Sequence, residues 1–262
     1  MERPRWGLPR RLFTGPSYRT PGSAHVEEAN PTKVSLRMQA YNLLAPHEVV
    51  LDLFAGKGLL SWLYAKGCRR LISVEKNPEY FKVLKRNMSE YPHAICLQRD
   101  NLEFLESGDL AELEGHITYV DFDAFGCPSL QVQRFFERYR VERAMVVSLT
   151  DGILFNFRRH GSADLRRYYL QDFYVGGEPE CGVTQSLGEY LFTIQSNFIN
   201  ILCMRWGLAA HPLYFKVNER STATYSSYLI LPRIVGVVDF KRYVGLRRLK
   251  VGTAATSIQG SA

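Results

Sequence analysis

The chain has 262 residues, 46% of them hydrophobic, with 33 Lys and Arg against 26 Asp and Glu, for a formal charge of +7. No apolar run is long enough to cross a bilayer, and the four arginines among the first eleven residues are followed by no apolar stretch, which argues against a secretory leader. Cys68, Cys96, Cys127, Cys181 and Cys203 are odd in number and form no Cys-x-x-Cys pair, so the expectation is a reducing, cytoplasmic setting and no metal site. The basic surplus favours a nucleic-acid partner over a small neutral substrate.

Residues 1–24 are rich in Arg, Pro and Gly and read as a basic arm ahead of a domain at 25–235. The spacing of Val34, Leu36, Met38, Tyr41 and Leu44 predicts a helix over Val34 to Leu44 that covers one edge of a sheet. A buried strand from Val49 to Phe54 follows, then a glycine loop and a helix from Leu59 to Lys66. Strand and helix then alternate: Leu71 to Glu75, Pro78 to Met88, Ala94 to Gln98, a short helix from Asn101, Ile117 to Asp121, Ser129 to Tyr139, and Ala144 to Leu149. That order predicts an α/β fold, a Rossmann-like and mostly parallel sheet with helices on both faces. After Leu149 the rhythm breaks. Residues 151–186 are aromatic and basic and are predicted to be a substrate-recognition insertion, with Arg158, Arg159, Arg166 and Arg167 interleaved among Tyr and Phe. A long helix from Leu187 to Trp206 and two strands, Leu213 to Val217 and Thr224 to Leu231, predict a closing antiparallel hairpin. Residues 236–262 form a second basic tail.

Two motifs carry chemistry. The first runs from Val49 through Asp52, Phe54, Gly56 and Gly58. Glycines at a strand-to-helix turn let the backbone approach a ligand, and Glu75 at the end of the next strand stands where an acid bonds the hydroxyls of a ribose. A dinucleotide fingerprint needs a third glycine, and Ser61 occupies that position. A phosphate loop needs Ser or Thr after its lysine, and Gly58 follows Lys57. The second motif is Asp121-Phe122-Asp123-Ala124-Phe125-Gly126-Cys127-Pro128, predicted at the C-terminal end of the fourth strand.

The segment from Asp52 to Gly58 resembles motif I of class I S-adenosylmethionine (SAM) methyltransferases, and Val74-Glu75-Lys76-Asn77 resembles their motif II. The resemblance implies SAM as cofactor, with Asp52 toward its methionine end, Phe54, Gly56 and Gly58 in the loop, and Glu75 and Lys76 at the ribose. It adds Arg37 from the first helix, and Asp100 and Asn101 near the adenine; Asp100 reads equally as a helix N-cap. The stretch from Asp123 to Pro128 most resembles the Asp-Pro-Phe-Gly-Ser-Pro motif of the tRNA guanine-N2 dimethyltransferase family, with Ala124 in place of the proline. Asn30-Pro31, Arg37 and the late helix with its hairpin are similar to parts of the same family, and the first part of the chain also resembles small-subunit rRNA guanine-N2 methyltransferases.

That likeness implies a catalytic trio. Asp123 and the Ala124 carbonyl accept hydrogen bonds from an exocyclic amine, and Phe125 stacks on the base. Asp123 has a plainer reading as a helix N-cap, and Asp121 reads as structural. The expected activity is methylation of a nucleic-acid amine, guanine N2 in tRNA or other RNA first, without a metal and away from membranes. A DNA adenine or cytosine amino-methyltransferase, and a nucleic-acid-binding protein that kept the fold without turnover, stay open as alternatives.

Overall fold

The computed structural model describes residues 30–155, 184–218 and 222–232, with side chains from residue 190 onward in the second of these segments. The expected boundaries near 24 and 235 lie outside these residues, as do Cys181 and the tail at 236–262. Helices α1 (Pro31–Tyr41), α2 (Leu59–Tyr64), α3 (Pro78–Asn87), α4 (Asn101–Glu106), α5 (Ser129–Arg138) and α6 (Thr184–Arg205) accompany seven strands. These are β1 (His47–Asp52), β2 (Cys68–Val74), β3 (Ala94–Leu97), β4 (Ile117–Asp123), β5 (Met145–Asp151), β6 (Leu208–Val217) and β7 (Thr224–Pro232). The sheet order is β3-β2-β1-β4-β5-β7-β6. The first five strands pair in parallel, and β7 runs antiparallel to β5 and β6.

Local chemistry sets several helix starts. Asn30 caps α1 through Thr32 N–H and Lys33 N–H, with Pro31 at the first turn, so the helix begins three residues before the apolar spacing suggested. Asn77 caps α3 in the same way ahead of Pro78. Strand β5 runs on through Asp151 and α6 starts at Thr184, so both ends of the expected insertion at 151–186 belong to regular elements. Strand β6 begins at Leu208, five residues before the expected start, and carries a register shift between Pro212 and Tyr214.

Alternation along the strands feeds two cores. Leu51, Ile72, Phe122, Val147 and Ile230 meet Phe104, Phe135 and Leu202 on one face. On the other face Val50, Leu71, Val146 and Leu229 meet Val34 and Met38 of α1, Leu63 of α2 and Leu84 of α3. Helix α1 therefore lies across a face of the sheet, against β5 and β7, rather than along an edge.

A buried polar layer holds it there. Arg37 is 0% exposed; its Nε pairs with Asp121 Oδ1 at 3.0 Å, Nη1 donates to Tyr214 Oη and to the Ser226 carbonyl, and Nη2 donates to Thr150 Oγ1 at 2.8 Å. Arg37, expected among the cofactor residues, is thus packed beneath the site with its guanidinium engaged inside the protein. Burial raises Asp121 to about 6, against the pull of Arg37 and of the Tyr64 hydroxyl that donates to its Oδ2 at 2.6 Å, so this acid is ionised at neutral pH. Its register neighbour Asp52 is equally buried and accepts from Ser61 Oγ at 2.6 Å, while Ser73 donates onward to Ser61. Burial first, and the charge on Asp121 second, raise Asp52 to about 8 and keep its proton on.

Two outcomes test this layer. Arg37→Met strips the counter-charge from a buried carboxylate, and urea unfolding at pH 7 should show a loss of about 3–5 kcal/mol; a loss under about 1 kcal/mol would contradict the ion pair. Asp52 holds its proton in the folded chain but not in the unfolded one between the ordinary aspartate range and pH 8. Its contribution to stability is therefore full below the unfolded pKa and declines as pH rises toward about 8. Asp121, raised to about 6, adds a fall of the same sign that is nearly complete by pH 7, so Asp52→Asn should flatten the fall in the urea midpoint chiefly between pH 7 and 8.

Candidate active site

Strand order reverses between β1 and β4, and in open α/β sheets the crevice at such a switch point, outside the carboxyl ends of the strands, is where ligands bind. Both sequence motifs end there. In the β1 loop, Gly56 and Gly58 have φ of +54° and +85°. A Cβ on Gly58 would lie 2.7 Å from Leu84 Cδ1, so helix α3 packs directly on the loop; a Cβ on Gly56 would meet nothing within 4 Å, and that side of the loop is open. Gly58 N–H closes the turn on the Ala55 carbonyl.

Glu75 is fixed by two backbone donors, Gly56 N–H on Oε2 at 2.8 Å and Asn77 N–H on Oε1 at 2.7 Å. The acid thereby ties the loop to the end of β2. Ser61, in the third-glycine position, uses its hydroxyl on Asp52, while Asp52 Oδ1 is buried without a hydrogen-bond partner among the described residues. Asp100 caps α4 through Leu102 N–H at 2.8 Å and meets the exposed Lys76 ammonium at 3.5 Å. Asn101 is 9% exposed, donates to the Leu53 carbonyl and accepts from Gln131, so it braces the loop against α5; Phe54 packs half-buried on the same core.

Strand β4 extends two residues beyond its expected end, which places Asp121 and Asp123 on one face. Asp123 is not a helix cap, because α5 starts after Pro128. Its Oδ2 instead meets the Lys33 ammonium at 2.8 Å, with the two side chains 15% and 23% exposed. Burial alone would raise Asp123, but Lys33 and Arg37 outweigh it and hold the carboxyl below its ordinary range. Ala124 is buried and Phe125 is 87% exposed. Gly152 at the end of β5 donates to the Gly126 carbonyl, and a Cβ on it would fall 2.4 Å from the Phe125 carbonyl, so glycine is needed for the two loops to touch. Behind them Cys127 Sγ meets Asp151 Oδ2 at 3.7 Å, and burial pushes this thiol far up, which makes it inert packing.

The structure thus gathers Asp52, Phe54, Gly56, Gly58, Glu75 and Asp123 to Phe125 at one end of the sheet. Lys76, Asp100 and Asn101 line its flank, and Arg37 lies beneath. Arg158, Arg159, Arg166 and Arg167 lie outside the described residues. Sequence reasoning missed Lys33, Thr150 and Gly152. Lys33 closes the stretch Asn30-Pro31-Thr32-Lys33 at the start of α1, and its place one turn before Arg37 is a further signal that could have marked it. Among the described residues no His, Cys, Asp and Glu group could hold a metal ion, and no helix is long and apolar enough to cross a membrane.

No protein-family model matches the sequence, and no curated protein matches it. Solved structures do. Trm1 from Pyrococcus horikoshii, in complex with S-adenosyl-L-methionine, is similar with a TM-score of 0.55 and 13% identity over 76% of this chain; this chain spans 55% of the length of that one. M. jannaschii TYW2, in complex with AdoMet, is similar with a TM-score of 0.51 and 16% identity over 80% of each chain. At such identities the likeness lies in the fold: the chain has the architecture of the class I SAM-dependent methyltransferases.

Proposed function

We propose that the chain transfers a methyl group from SAM to the exocyclic amine of a nucleic-acid base, guanine N2 in tRNA or other RNA being the first candidate. The observation that carries this reading is the juxtaposition of an ionised Asp123, the backbone of the buried Ala124 and the exposed Phe125 ring at the switch point, beside the glycine loop. The site suits the cofactor. Gly56 leaves one side of the loop open, and Glu75, held by the Gly56 N–H at the end of β2, stands where a ribose would need an acceptor. Similar solved structures contain this cofactor.

Bound SAM supplies an electrophilic methyl; the chain's residues supply orientation and exclusion of water. An aromatic exocyclic amine is a poor nucleophile, since its lone pair is delocalised into the ring. Asp123 and the Ala124 carbonyl accept its two N–H bonds and turn the lone pair toward the methyl, while Phe125 stacks on the base. The net charge of +7 suits a polyanionic substrate.

Incubation with labelled SAM and total RNA or DNA, followed by nucleoside mass spectrometry, tests the reading; N2-methylguanosine in RNA is the expected product, and a methylated DNA base would redirect it. Glu75→Ala removes both the ribose acceptor and the anchor of Gly56, and calorimetry should show SAM binding weakened by about 2–4 kcal/mol. Asp123→Asn should lower turnover by roughly a hundredfold while SAM still binds. Wild-type turnover in that variant would return the acid to the fold.

A further inference from the structure

Resting on the reading of Asp123 as the amine's acceptor, we infer that Lys33 is a positioning residue of the transfer site: its ammonium grips one oxygen of Asp123 and keeps the carboxylate ionised and aimed. Three observations carry this. First, Lys33 Nζ lies 2.8 Å from Asp123 Oδ2 with three quarters of the lysine side chain covered, whereas an unconstrained lysine keeps its flexible stem in water. Second, the pair is one of two in register. Lys33 and Arg37 are one helical turn apart, about 6 Å along the axis, and Asp123 and Asp121 are two strand residues apart, about 6.6 Å. The two cations of α1 therefore meet the two acids of β4 as a matched set. Third, Arg37 Nη2 donates to Thr150 Oγ1, and Thr150 is the register partner of Asp123 on β5, so the neighbouring strand steadies the cation beside the same carboxylate.

The groups that face Asp123 are Lys33 and Arg37 from α1, Asp121 from its own strand, Asp52 from β1 and Thr150 from β5. Lys33 and Arg37 oppose its protonation by charge, and the Lys33 ammonium is its ion-pair partner. In the transfer the amine nitrogen forms its bond to the methyl carbon as the carbon–sulfur bond breaks and leaves its electron pair on sulfur. The nitrogen then releases one proton along its hydrogen bond to Asp123. A carboxylate gripped by an ammonium is a weak base, so that proton passes on to water and the acceptor is restored at once.

The test uses two readouts on the full chain. Titration of the Asp123 side-chain carbon by NMR, without cofactor or substrate, should give a midpoint below the ordinary aspartate range; Lys33→Met should raise it by about one unit or more, and Lys33→Arg should keep it low. Methyl transfer by Lys33→Met should acquire an acid limb whose midpoint follows the raised Asp123 titration, kcat falling about tenfold per pH unit below it while KM for SAM is unchanged, and Lys33→Arg should have its limb no higher than the wild type. The α1 cap uses only the Lys33 backbone N–H, so the helix is retained; if Lys33→Met does not fold, Lys33→Gln is read the same way. An Asp123 midpoint that does not move on removal of the ammonium overturns the inference, whatever the activity. A midpoint that moves in a chain that methylates no amine overturns the proposed function and leaves the ion pair standing.

Discussion

A guanidinium with no access to water is the constraint from which the layout of this end of the molecule follows. An unpaired Arg37 in the core would cost several kcal/mol, so Asp121 must sit beside it as an anion, and Tyr64 completes that anion's shell. Once Asp121 is charged, a second charge on the adjacent strand becomes unfavourable, and Asp52 keeps its proton. Ser61 and Ser73 then extend the polar row across β2, and Tyr119, Ser148 and Ser227 extend it toward β7. One ion pair thus dictates the protonation of its neighbours and the seat of α1.

The same pair explains how rigidity reaches the candidate site. Helix α1 cannot slide along β4 without breaking two salt bridges at once, because its charges repeat with the helical turn and the acids with the pleat. Glu75 does for the glycine loop what Lys33 does for Asp123: each is a charged group whose partner lies on a different element. Both carboxylates are therefore held by contacts that reach beyond their own strands.

Much of this was legible in the residues. Strand and helix order, the glycine loop, Glu75 and the Asp123–Phe125 motif all follow from local rules, since β-branched runs, capping residues and glycine turns act over a few positions. Where local signals were read too narrowly, the element ends moved: the Asn30-Pro31 cap outranks the apolar spacing that begins at Val34. The buried polar layer was not legible. A Lys and an Arg one turn apart on a helix ordinarily mark a solvated face, and nothing near them in sequence announces Asp121 and Asp123 as partners. Ser61 showed only as a glycine that was missing; that its hydroxyl serves Asp52 depends on α2 packing over β1. Gly152 became meaningful only when the chain brought the Phe125 carbonyl against it.

The seat of Arg37 also has a consequence for how the chain is made. Its hydrogen-bond partners Thr150, Tyr214 and Ser226 lie 113, 177 and 189 residues downstream. At translation rates of about 5–20 residues per second, the last of them emerges roughly 10–40 s after the arginine. Through that interval α1 has no complete socket, and its cationic side must stay hydrated. The final hairpin, which closes the sheet, supplies the last two hydrogen-bond partners of the arginine. Lys33 rides on that helix, so its ion pair with Asp123 is completed on a seat that β7 helps to form.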